Sequence, residues 1–195
     1  MKLFGRGKAK EAPGKGPEAL MCDDQESCDK ALALLIPAAE EGDPESQYLA
    51  GRCHHMFPVT GRSYEQAYKW YSLAAASGHP GALYSLGLLY ENGHGVPQSM
   101  SKAAECFLKA AVKGHPQAQY EYASLCESGD AEGAGVDDAV HWYSEAAKNG
   151  VDAAGYALER LRRRWRTSAW PQRLTSPPKP SLPFRFSTLL SRKRR

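Results

Sequence analysis

Apolar and small residues in the middle of the chain recur with two nested spacings. The shorter is helical: Ala82, Leu86, Gly87 and Tyr90 stand at i, i+4, i+5 and i+8, on one stripe of an α-helix. That stripe stops at Asn92-Gly93-His94-Gly95-Val96-Pro97, a run of helix breakers. A second helix is expected from about Ser99 to Lys113, burying Ala103, Phe107, Ala110 and Ala111. The longer spacing is 36 residues, which separates Gly42, Gly78, Gly114 and Gly150, and likewise Tyr48, Tyr84, Tyr120 and Tyr156. Ala67, Ala103 and Ala139 form another column, and Tyr71, Phe107 and Tyr143 a fourth, beside Trp70, Cys106 and Trp142. Chance does not align so many columns in one register. Within each unit, Gly-x-Pro marks the joint between helices, since glycine suits the left-handed residue that ends one helix and proline the first turn of the next. Pro44, Pro80 and Pro116 hold that place, and Asp152 takes it in the last unit.

A helix pair of this kind cannot bury its apolar face alone, so its copies must stack. The predicted fold is all-α, a right-handed α-solenoid of helix-turn-helix repeats with a 36-residue period. It is expected over 29–162, as a half unit 29–41, units 42–77, 78–113 and 114–149, and a half unit 150–162. The expected helix count is seven, from three hairpins and two flanking halves. Pro37 should kink the first half unit or delay its start. Segments 1–28 and 163–195, rich in basic residues, Gly, Pro and Ser and without helical periodicity, are expected to be disordered.

The pattern A-x-Y-x-L-G-x-x-Y-x-x-G-x-G-V, then K-A, then A-A-x-x-G, running from Ala82 to Gly114, resembles the Sel-1-like repeat family, a relative of the tetratricopeptide repeat. The unit before it keeps Tyr48, Gly51, Ala67, Trp70, Tyr71 and Ala75 but has His54-His55-Met56-Phe57-Pro58 at its turn. The unit after it has Ala123 where the others have Gly, and Cys126 in place of Tyr90. The resemblance implies an adaptor or scaffold, not an enzyme, that binds a protein or peptide along a concave face lined by the first helices. On that face the columns beside the core are Tyr48, Arg52 and His55, then Tyr84, Leu88 and Glu91, then Tyr120, Ser124 and Glu127. This is an aromatic ladder with graded charge, suited to stacking on an extended ligand. The competing reading is that each tyrosine packs between units.

Charge sharpens the picture. The net charge of +3 divides into +3 over residues 1–20, −12 over 21–159 and +12 over 160–195, an acidic body with two basic ends. The last segment holds no acid. Its Arg162, Arg163, Arg164, Arg166, Arg192, Lys193, Arg194 and Arg195, interleaved with Trp165, Trp170, Phe184 and Phe186, give an alternative function: polyanion binding, to nucleic acid or an anionic membrane. A solvated tail without a ligand is the plainer reading, and out-of-frame translation of GC-rich DNA would also produce such a sequence.

Candidate chemistry is thin. Cys53-His54-His55 contains zinc-ligand types, but adjacent helical residues diverge and no second ligand pair follows, so no metal is expected. His79 and His115 read as recurring turn residues, and Cys106 as core. Gly93-His94-Gly95 follows a helix and lacks the Lys-Ser/Thr of a phosphate loop. Ser99-Met100-Ser101-Lys102 has the letters of a serine-lysine motif without its partners, which leaves a hydrolase as the least favoured reading and calls for no cofactor. Five cysteines at irregular spacing with no C-x-x-C pair, and no apolar run near the roughly 20 residues of a membrane span, point to a cytoplasmic protein.

Overall fold

The computed structural model describes residues 25–56 and 62–167, and these form eight α-helices in sequence. They are α1 (Gln25–Glu40), α2 (Pro44–Met56), α3 (Arg62–Ala76), α4 (Pro80–Asn92), α5 (Met100–Val112), α6 (Pro116–Ser128), α7 (Val136–Lys148) and α8 (Asp152–Thr167). Three hairpins and two flanking single helices make eight, so the expected count of seven was one short. Each helix packs against its neighbours in the chain, which is the contact pattern of a solenoid rather than of a closed bundle.

The joints are built as the Gly-x-Pro signal requires. Gly42, Gly78, Gly114 and Gly150 all carry positive φ, from 81° to 99°. Pro44, Pro80 and Pro116 open α2, α4 and α6, where a missing N–H costs nothing. Pro37 lies well inside α1, which begins at Gln25, four residues before the expected start. At the other end α8 continues to Thr167, through residues 163–167 that composition had assigned to a disordered tail. The remaining basic segments, 1–24 and 168–195, lie outside the described residues.

Alanines form the packing layer. Ala67, Ala103 and Ala139 are fully buried, as are Ala74, Ala110 and Ala146, and their small side chains let successive helices close up. The space this leaves is filled by the aromatic of each second helix, Tyr71, Phe107 or Tyr143, each at most 1% exposed. Two of these rings lie directly on a glycine of the partner helix. A Cβ on Gly51 would meet Tyr71 ring carbons at 2.6 Å, and one on Gly87 would meet Phe107 at 2.4 Å. In the third hairpin the same column holds Ala123, also fully buried. There the ring stands differently against the first-helix tyrosine: Tyr120 and Tyr143 are inclined at 57°, where Tyr48–Tyr71 and Tyr84–Phe107 are at 37° and 43°.

Candidate functional site

The tyrosine column is neither simply core nor simply surface. Tyr48, Tyr84 and Tyr120 are each half-buried, with one side against the buried ring of the same hairpin at centroid distances of 6.0, 5.8 and 5.4 Å. Burial raises the pKa of Tyr48 and Tyr84 above the usual phenol value, so both stay neutral.

The first two tyrosines also stack on a histidine from the next repeat, Tyr48 on His79 at 4.5 Å and Tyr84 on His115 at 4.6 Å. These histidines are helix caps. His79 Nδ1 accepts from the Ala82 N–H at 3.1 Å, and His115 Nδ1 from the Ala118 N–H at 3.2 Å, at the positions where α4 and α6 start. Asp43 does the same for α2, accepting from the Ser46 N–H at 2.8 Å. Sequence reasoning assigned His79 and His115 to the turns and missed both duties. Their position just before Pro80 and Pro116 was the available signal. In the last unit this column holds Val151, which can neither cap nor stack, and Tyr156 on α8 is 78% exposed.

An accepting Nδ1 is unprotonated, so each neutral imidazole carries its proton on Nε2. His79 donates it to Glu45 Oε2 at 3.0 Å. One repeat later the residue in the Glu45 column is Gly81, which offers no side chain to His115. Gly81 is also required by packing, since a Cβ there would lie 2.9 Å from Tyr48 Cζ.

Between α2, α4 and the start of α6 these residues enclose an open hollow of roughly 530 Å³. Five of the nine predicted face residues line it: Tyr48, Arg52, His55, Tyr84 and Leu88. Tyr71 and Ser85 are also in its wall, with Met56 at one side and His115 and Gln117 at the other. Arg52 lies over the Tyr48 ring at 5.9 Å. His55 approaches the Tyr71 hydroxyl at 3.4 Å, and burial lowers its pKa and that of His54.

The other four predicted residues do not line the hollow. Burial raises the pKa of Glu91 and of Glu121 on the neighbouring first helix, and the charge of Glu91 raises Glu121 further. Glu127 is engaged within the chain, accepting from the Tyr143 hydroxyl at 3.1 Å and pairing with Arg160 of α8 at 2.6 Å. Ser124 lies near the Tyr143 hydroxyl, whose pKa burial pushes up to about 12. Tyr120 packs on Tyr143. In the third repeat, Glu127 is thus held by Tyr143 of α7 and Arg160 of α8.

Of the basic residues singled out, Arg162, Arg163 and Arg164 are exposed on α8, with Arg162 bonded to Glu159 at 3.1 Å. Arg166 belongs to the same helix, and Arg192, Lys193, Arg194 and Arg195 lie outside the described residues. Among the described residues no helix is long and apolar enough to cross a membrane, and no group of three metal-ligating side chains comes together.

The Sel1 repeat family model matches residues 25–43, 44–79, 80–115 and 116–151, well over half of the chain. The chain belongs to the Sel1 repeat family. The four matches end at Asp43, His79, His115 and Val151, so that two of the repeat joints fall at the histidine stacks. Among solved structures, a Sel1 repeat protein from Oxalobacter formigenes is similar at 29% identity and a TM-score of 0.60, over 67% of this chain and 98% of that one. A protective antigen of uropathogenic Escherichia coli strains, described as displaying an SLR fold, is similar at 36% identity and a TM-score of 0.57, over 63% of this chain. The chain corresponds to 26% of the length of that antigen. No curated protein matches significantly. Sel1 repeat proteins are generally interaction scaffolds, and the fold is typically non-catalytic.

Proposed function

We propose that this Sel1 repeat protein is a scaffold that binds an extended segment of a partner protein across α2, α4 and the start of α6. The observation that carries the reading is the hollow itself. Its walls are repeat-matched half-exposed rings, Tyr48 and Tyr84, held from behind by Tyr71 and Phe107 and from the side by His79 and His115. Rings fixed this way lose little freedom when a ligand covers them, which is where preorganised aromatic contacts gain their affinity.

A photo-crosslinking amino acid placed at Leu88, in the wall of the hollow, should capture a partner protein in cells. The same group at Val112, which is 67% exposed on α5, should not. Equal capture from both positions would remove the reason for placing the binding face here.

A further inference from the structure

We infer that the hollow between α2, α4 and α6 recognises a carboxylate on the bound segment, a side-chain acid or a chain terminus, with Arg52 as its anchor; this rests on the reading of that face as a peptide groove. The chain is acidic across 21–159, yet among the described residues no carboxylate lines the hollow. Among the same residues Arg52 is the one permanently charged side chain in its lining, half-buried, and no ion pair to it forms. Its guanidinium lies over the face of Tyr48. A guanidinium stacked on a ring in this way keeps its planar fork of donors available.

A second donor belongs to the α6 side of the hollow. His115 uses Nδ1 to cap α6, and Gly81 stands where a glutamate would otherwise take its Nε2–H, so the imidazole lines the hollow with a donor to give. Gln117 adds an amide beside it. The apolar lining, Leu88 and Met56, supplies contact for a neighbouring side chain and lowers the local dielectric around Arg52.

The test is a random-heptapeptide display selection on the full-length chain, followed by affinity measurements on the enriched peptides, synthesised as acids and with Asp/Glu replaced by Asn/Gln. The expected result is enrichment of peptides with Asp, Glu or a free C-terminus next to an aliphatic residue. Neutralising the acid should weaken binding about tenfold or more, and so should Arg52→Gln. Arg52→Glu should abolish binding of acidic peptides and favour lysine at the same position. Arg52→Lys should retain part of the affinity, and unchanged thermal midpoints would show that the variants fold. Enriched peptides that lose affinity with Leu88→Ala but show no preference for an acid and no response to Arg52→Gln would overturn the carboxylate assignment and leave the groove intact. Failure to enrich any peptide, or peptides indifferent to Leu88→Ala, would overturn both.

Discussion

Replacing Gly87 by alanine sets two well-defined effects against each other. On an isolated helix the change is favourable by about 1 kcal/mol, because glycine is the poorer helix former. In this fold the new methyl carbon would lie 2.4, 2.5 and 2.9 Å from three carbons of the Phe107 ring. Phe107 is fully buried, so the ring has no free space into which to swing. Overpacking a tight core costs about 1–3 kcal/mol, and three simultaneous contacts with one rigid ring put this case at the upper end. The expected net loss is about 2 kcal/mol, or about 8 °C in thermal midpoint at about 4 °C per kcal/mol for a domain of this size. The third hairpin shows that an alanine can be accommodated, but with the changed ring angle of Tyr143 against Tyr120. Thermal unfolding followed by circular dichroism gives the answer directly. Gly155→Ala is the control, since nothing lies within 4 Å of a Cβ there, and it should raise the midpoint slightly. Gly87→Ala combined with Phe107→Leu should lose less than the sum of the two single changes. A Gly87→Ala protein as stable as the parent would refute the claim that Phe107 is seated on α4 through that glycine.

Three further outcomes follow from the caps and the core. His115→Ala removes both a cap and a ring stack and should cost about 1–2 kcal/mol by denaturant titration, whereas His115→Asp should keep most of the capping contribution. His54, His55 and His115 have folded pKa values lowered by burial, so the unfolded chain binds more protons as pH falls through about 6.5. Their contribution is fully present above that pH and is lost on acidification, so the thermal midpoint should fall from pH 7 to pH 6, with a shallower slope in His115→Asn. Ala103→Leu, at a fully buried helix contact, should cost about 1–3 kcal/mol with no change in helix content at low temperature.

The register of the solenoid was legible because glycine, proline and alanine report backbone geometry directly. Gly78 announces a left-handed residue and Ala103 a close approach whatever lies around them. The face residues were legible only as columns. That Tyr84 is half-buried, with Phe107 behind it and His115 beside it, depends on contacts 23 and 31 residues away, and helical spacing alone left packing and binding as equal readings. The caps were missed because histidine is not among the usual capping residues, and here its ring is held by a tyrosine 31 positions earlier in the chain. Glu127 was read as a face residue because nothing in its own helix reveals Arg160, which reaches it from 33 positions further on.

The stacked caps tie the start of one helix to the body of another. Each histidine starts the helix of its own repeat but is steadied by a ring from the repeat before it, so melting at α2 would loosen the start of α4, and melting there would loosen α6. The coupling is mutual, since a stack steadies both of its rings, and Val151 ends the series before α8. Fraying at the α1–α2 end therefore reaches the array through ring stacks, while fraying of α8 reaches it through Arg160 and Glu127, and the two ends of a nearly periodic protein are tied in by different contacts.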